Sequence, residues 1–198
     1  MMMTNTKIFG IGLPRTGTTS LASALRILGY RGSNYCMLKD EGSTDTNIKQ
    51  KNSFQVNNSY YDIYQELYNE DEASKFILTI RDRDSWKASI SALSSKGFQT
   101  WLGTAVFPWL QDTKDYRTIL PDITEYNQEV MKFFNDRGAL SQLLVVDLFD
   151  VGCDCSCKWK NICDFLGIKS KITLGGRILD RHESLGDFPH LDPFVNKV

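Results

Sequence analysis

The sequence has no long apolar run. Its longest, around Leu143–Val146, falls far below the roughly 18 residues that a membrane-spanning helix needs. It has no basic surplus either. Lys plus Arg is 23 against 24 for Asp plus Glu, a formal net charge of -1. A nucleic-acid partner, which wants excess cation over a broad face, is therefore not expected; a local basic pocket is compatible with that total. Internal repeats and low-complexity stretches are missing. Met1–Lys7 lacks the basic head and apolar stretch of a secretory signal, so the expectation is a cytoplasmic protein, free of the membrane, with reduced thiols. Five cysteines, an odd number, argue against a disulfide framework. Histidine is scarce: His182 and His190 are the two in the chain.

The 198 residues suit one domain, 1–198, and 41% hydrophobic with 24% charged residues is the composition of a chain that buries a core. Lys7–Ile11 reads as a short buried strand. Leu21, Ala24, Leu25 and Leu28 recur at helical spacing and Gly29 stops that helix. Residues 31–59 are rich in Ser, Asn, Asp, Thr and Lys and read mostly as loop, with Gly42–Lys51 the most mobile part. Tyr60–Tyr68 reads as helix, Lys75–Ile80 as a second strand and Ser85–Leu93 as a helix. Pro121 opens a helix to about Phe134, at a favoured first-turn position. Leu143–Leu148 is a third strand, and Trp159–Leu166 a helix closed by Gly167; the tail from Lys169 reads as irregular. Strands alternating with helices predict an α/β fold, a mainly parallel sheet flanked by helices. Ligands of such sheets bind at the carboxyl ends of the strands.

Between the first strand and first helix stands Gly12-Leu-Pro-Arg-Thr-Gly17-Thr-Thr. Its two glycines have the G-x-x-x-x-G spacing of a phosphate-binding loop. Glycine permits the tight turn, successive N–H groups converge on an anion, and the helix N-terminus near Thr18 adds partial positive charge. Thr18 and Thr19 add hydroxyl donors. A nucleotide triphosphatase places Lys directly after the second glycine; here Thr18 stands there and the cation comes earlier, at Arg15. That arrangement suits one terminal phosphate with a bridging atom beside it better than a triphosphate with magnesium. The bland alternative is a plain tight turn.

The strand Lys75–Ile80 runs into Arg81-Asp-Arg-Asp-Ser-Trp-Lys-Ala-Ser89. An arginine at a strand end offers a permanently charged fork that matches phosphate oxygens. Taken alone, Arg81 could equally form a surface ion pair with Asp82 or Asp84. Arg83 and Lys87 read as solvated charges.

These residues resemble the sulfotransferase superfamily. Its loop pattern G-x-P-[RK]-[ST]-G-T-T-x-L is met by Gly12, Pro14, Arg15, Thr16, Gly17, Thr18, Thr19 and Leu21. The resemblance implies a P-loop-like sulfotransferase fold using 3′-phosphoadenosine 5′-phosphosulfate (PAPS), with the product 3′-phosphoadenosine 5′-phosphate (PAP) and no metal. Pro14, Arg15, Thr16, Gly17, Thr18, Thr19 and Ser20 would hold the 5′-phosphate, Arg15 lying against the bridging oxygen of the sulfate donor. Arg81 and Ser89 match the second signature, which binds the 3′-phosphate; Ser89 meets the sheet end only if its helix packs back over it. Trp86 reads as core, with a place beside the adenine as the alternative. One branch reads "AKFILTVRD…W…S", "LCxFLG" and "FPHxN", similar to Lys75–Trp86, Cys163–Gly167 and Phe188–Leu191 here.

The acceptor, a hydroxyl or amine of a small molecule or glycan, needs a general base. Branch members carry Tyr-His-Met where this chain has Tyr35-Cys36-Met37, so that histidine is missing. Asp40 and Glu41 stand just after it, and His190 lies in the tail motif; these are the candidates. The chain is compact for the family, which leaves an open acceptor site or one completed in a homodimer. Arg177 and Arg181 of the tail are candidates to close over the 3′-phosphate. Cys153, Cys155 and Cys157, with Cys163, have one-residue gaps unsuited to a zinc clip and read as reduced thiols. Phe98, Trp101, Phe107 and Trp109 read as core or as a wall of the acceptor pocket. Two other readings stay open: a binding module of the same fold without a base, and a P-loop kinase or triphosphatase with Asp147 holding magnesium.

Overall fold

The computed structural model describes residues 7–33, 53–56, 61, 63–71, 73–95, 120–168, 171–174, 177–180 and 185–189. The predicted α/β architecture is present. Strands β1 (Ile8–Gly10), β2 (Arg31–Ser33), β3 (Ser53–Val56), β4 (Lys75–Ile80) and β5 (Leu143–Asp147) form one sheet in the order β2-β3-β1-β4-β5. Every pairing in it is parallel. The helices are α1 (Thr18–Ile27), α2 (Tyr64–Glu70), α3 (Arg83–Ser95), α4 (Ile123–Asp136) and α5 (Cys155–Leu166). Among the described residues no helix is long and apolar enough to cross a membrane.

Two hydrophobic clusters lie on the two sides of the sheet. Side chains alternate along a strand, so Phe76 and Leu78 of β4 enter one cluster and Ile77 the other. The first cluster is closed by Tyr64 of α2, Trp86 and Ile90 of α3, and Tyr126, Val130 and Phe134 of α4. The second is closed by Leu21 and Leu25 of α1 and Trp159 and Ile162 of α5. A sheet covered on both faces needs apolar residues at successive positions, which is why Phe76, Ile77 and Leu78 are all fully buried. The chain leaves β1 toward one edge, by α1, β2 and β3. It returns to the other side of β1 with β4. The crevice at the carboxyl ends of β1 and β4 is therefore the topological switch point of the sheet.

The prediction of β4 matches at both ends, and the other elements differ in instructive ways. The stretch 31–59, expected mostly as loop, contributes β2 and β3. Arg31-Gly32-Ser33 carries no apolar side chain and could not announce itself. Gly32 pairs because it lacks a side chain: a Cβ there would stand 1.9 Å from the Phe54 carbonyl oxygen. Gly42–Lys51 lies outside the described residues. The tail, expected as irregular, holds the antiparallel pair β6 (Lys171–Leu174) and β7 (Arg177–Asp180). Gly175 and Gly176, between them in sequence, have the composition of a two-residue hairpin connection. Pro121 stands two residues before its helix, because Asp122 is the cap: its carboxylate accepts the Thr124 N–H at 2.9 Å.

The reading of reduced thiols in the cysteine run is corrected. Cys153 and Cys157 form a disulfide, with Cα atoms 5.3 Å apart. The cause is local. Asp154 caps α5, its carboxylate accepting the Cys157 N–H at 2.8 Å, which folds Cys153 against the first helical turn. An odd cysteine count excludes complete pairing, not one pair. The same cap starts the helix four residues before the predicted Trp159. Gly167 ends it at φ 68, as expected of a C-terminal glycine. Cys155 is exposed and Cys163 buried. Among the described residues no group of three or more His, Cys, Asp or Glu side chains could hold a metal ion.

Candidate functional site

The segment from Ile11 to Gly17 leaves β1 at the switch point and turns into α1. The Ile11 N–H still donates to Ile77 at 2.9 Å, so the turn starts fastened to β4. Gly12 is required by the closeness of that strand. A Cβ there would lie 2.0 Å from the Thr79 hydroxyl oxygen and 2.6 Å from its carbonyl oxygen. Gly17 caps α1 at φ 98, a conformation that suits glycine, and as glycine it brings no capping side chain of its own. The leading N–H groups of a helix have no partner within it, so those of α1 keep the capacity to bind an anion. Arg15 has φ 70, the one non-glycine residue with positive φ among the described residues. That conformation costs roughly 1–2 kcal/mol, and contacts around the loop hold it.

Those contacts come from three elements. Trp86 of α3 donates its indole N–H to the Pro14 carbonyl at 2.8 Å. Tyr126 of α4 donates its hydroxyl to the Ile11 carbonyl at 2.6 Å. Arg81, at the end of β4, donates from Nη1 to the Arg15 carbonyl at 3.1 Å. Inside the loop, the Thr16 hydroxyl donates to the Leu13 carbonyl at 2.6 Å and lies 2.6 Å from the Thr79 hydroxyl. Thr16 and Thr79 are both fully buried.

The two predicted anion motifs meet here. Nε of Arg15 donates to the Ser89 hydroxyl at 2.9 Å, so α3 does pack back over the sheet end. The guanidinium of Arg81 lies over the Phe149 ring, 4.1 Å from its centroid, rather than turning out to Asp82 or Asp84 as a surface pair. Asp82 instead accepts the Ser85 N–H at the start of α3. Leu148 and Phe149 also approach Gly17, so the segment after β5 borders the site. Two guanidinium groups and the Ser89 hydroxyl thus come together beside the loop that starts α1.

The candidates for the anion site have definite places. Pro14, Arg15, Thr16, Gly17, Thr18, Thr19 and Ser20 form the loop and the first turn, and Arg81 and Ser89 join them. Thr16 is engaged within the loop through its hydroxyl and through an N–H donated to Leu13 at 3.3 Å, so it shapes the turn. Ser20 is buried on the α1 side. Asp40, Glu41, Cys36, His182, His190 and Arg181 lie outside the described residues, as do Phe98, Trp101, Phe107 and Trp109. Arg177 lies in β7. Asp147 ends β5, where its carboxylate accepts the Phe149 N–H at 2.8 Å in a local turn.

Tyr126, Thr79 and Phe149 escaped the sequence reading. Tyr126 is 115 residues from the carbonyl it holds, and nothing in its neighbourhood marks it apart from other buried aromatic residues. Arg83, read as solvated, is paired. Its Nε and Nη2 reach one Asp122 carboxylate oxygen at 2.8 and 2.6 Å. The hydrogen bonds from Arg83 hold the Asp122 carboxyl below the usual carboxylate range, and Asp122 raises Arg83 in turn. Burial lowers Lys75, whose Nζ donates to the Phe165 carbonyl near the end of α5.

Residues 7–55 match the family model described as the sulfotransferase domain. That is about a quarter of the chain, from the residue before β1 to β3, and it contains the whole glycine loop and α1. Arg81 and Ser89 lie beyond the matched stretch. Comparison with curated proteins finds no match. Through the loop that opens its parallel sheet, the chain carries the sequence pattern of the sulfotransferase superfamily, on an α/β fold consistent with it.

Proposed function

We propose that this protein is a sulfotransferase that draws its sulfuryl group from PAPS and passes it to a hydroxyl or amine acceptor. One observation carries the reading. Arg15 and Ser89, 74 residues apart, are hydrogen-bonded at the carboxyl ends of two adjacent parallel strands, with Arg81 fastened to the same loop. A ligand with two separate phosphates would engage the start of α1 and Arg15 through one, and Arg81 and Ser89 through the other. When bound, the donor supplies a sulfuryl group joined to phosphate through an anhydride oxygen.

The chain's own groups then have distinct tasks. The N–H groups at the start of α1, with Thr18 and Thr19, hold the 5′-phosphate. Arg15 keeps a permanent cation where charge develops on the leaving phosphate, and it stands there before the reaction begins. Arg81 and Ser89 hold the 3′-phosphate and so set the register of the donor. The acceptor proton goes to a general base among Asp40, Glu41 and His190. Thr18 in the lysine position, and Asp147 engaged in its own turn, favour this reading over a magnesium-dependent phosphoryl transfer.

Calorimetric titration of PAP without metal tests it. Micromolar binding is expected, weakened at least tenfold by Arg15→Ala and by Arg81→Ala. Absence of PAP binding, beside binding of ATP with magnesium, would overturn the proposal.

A further inference from the structure

An anion loop works only if its N–H groups face the ligand and its carbonyl oxygens do not. In this loop the carbonyls of Ile11, Leu13, Pro14 and Arg15 each accept a hydrogen bond from within the protein. Thr16 supplies one from the loop itself and Arg81 another. The remaining two come from Tyr126, which lies outside both anion motifs, and from Trp86, which stands between Arg81 and Ser89 without being one of the two residues assigned to the phosphate. Both are buried, at 4% and 5% exposure, in the cluster between the sheet and α3 with α4. The α1 start, with its N–H groups, is packed by the opposite cluster. The protein thus draws these loop carbonyls toward one side of the sheet, while the helix start is set by the other.

Pro14 sharpens the point. As a residue it offers the loop a carbonyl acceptor and no N–H donor. The indole N–H of Trp86 occupies that acceptor. The bonds to Pro14 and Arg15 also bracket the residue with φ 70, and so hold the backbone conformation that aims Arg15.

We propose that Trp86 and Tyr126 are positioning residues for the 5′-phosphate: they hold the Pro14 and Ile11 carbonyls away from the anion and fix the backbone that presents Arg15. The inference rests on the donor reading above. It assigns the two side chains a task beyond core packing, and that task is local to one end of the donor.

The test compares Tyr126→Phe and Trp86→Phe, in the full chain, with the unaltered protein. The probes are PAP, adenosine 5′-monophosphate and adenosine 3′-monophosphate, followed by calorimetry and by the amide spectra of Gly12–Thr19. Each variant removes a donor and keeps an aromatic ring. Loss of one neutral hydrogen bond predicts affinities for PAP and the 5′-monophosphate about three- to tenfold weaker. Affinity for the 3′-monophosphate should stay within about twofold, because the loop does not serve that phosphate. A residue that merely packs the core would weaken both mononucleotides alike, which would overturn the inference, as would affinities unchanged for all three. If Trp86→Phe does not fold, Tyr126→Phe decides, since it deletes a single oxygen. Failure of the unaltered chain to bind PAP would overturn the donor reading and this inference together; unchanged variants of a PAP-binding chain would overturn this one alone.

Discussion

Nε of Arg15 donates a hydrogen bond of 2.9 Å to the hydroxyl of Ser89. This one bond joins the turn after β1 to the helix after β4. It means that the cation proposed for one phosphate and the hydroxyl proposed for the other are in contact before any ligand arrives. Ser89→Ala removes the acceptor and leaves a shape that α3 tolerates. In the donor reading Ser89 also meets the 3′-phosphate, and a hydrogen bond to a charged group is worth about 1.5–3 kcal/mol, so PAP affinity should fall at least tenfold. Equal affinities by titration would show that the contact does not serve binding.

Gly12 tests the packing of the loop on β4. Its substitution by Ala sets a methyl group 2.0 Å from the Thr79 hydroxyl oxygen and 2.6 Å from backbone. A hydroxyl could rotate aside, but a carbonyl of the central sheet cannot. Gly12→Ala should therefore destabilise the fold by about 3 kcal/mol, as overpacking in a rigid place does. Urea unfolding measures this, and a midpoint equal to that of the unaltered chain would contradict the close approach of loop and strand.

Acid stability should report on Asp122. Its folded-state pKa is lowered, first by the hydrogen bonds from Arg83 and then by the N–H groups it caps. The sign follows from linkage. The unfolded chain takes up this proton first as pH falls, so the contribution is complete above the ordinary carboxylate pKa of about 4. It is lost as pH drops through the lower folded value. Asp122→Asn keeps a capping oxygen but not the charge. The thermal midpoint of the variant should therefore fall less steeply than that of the unaltered chain below about pH 4. High salt should narrow the difference at neutral pH, because the pair is exposed. Parallel pH profiles would count against the ion pair.

The Cys153–Cys157 bond is open to direct chemical analysis. Peptide mass spectrometry under non-reducing conditions should find the two residues joined and lighter by two hydrogen atoms. Exposed Cys155 should alkylate in the folded chain and buried Cys163 only after unfolding. The closed loop is short, with a separation of four. The chain-entropy relation then puts its contribution at about 2 kcal/mol, seen as a lower unfolding midpoint after reduction. Alkylation of Cys153 and Cys157 without prior reduction would rule the bond out.

The glycine loop, the strand that precedes Arg81, the glycine that ends α5 and the α/β class were all legible in the linear chain. These features are written in residues close together: glycine spacing, six consecutive strand residues of which the middle four are buried, or the change from apolar runs to helical spacing. Short pieces were not. β2 and β3 hold three and four residues, and they exist because neighbouring strands offer them partners. Nor could spacing show that one carboxylate, Asp154, would bring Cys153 and Cys157 together.

What stood outside the linear chain was partnership at a distance. Ser89 is 74 residues from Arg15, and Tyr126 is 115 from Ile11. Such pairs depend on β4 lying beside β1 and on which face each helix covers. Apolar periodicity says that a helix has a buried face. It does not say which strand that face meets, because many partners satisfy the same hydrophobic demand. The anion-binding chemistry was thus written in local sequence. The packing of α3 and α4 decided where the loop's carbonyls turn and how Arg15 is held.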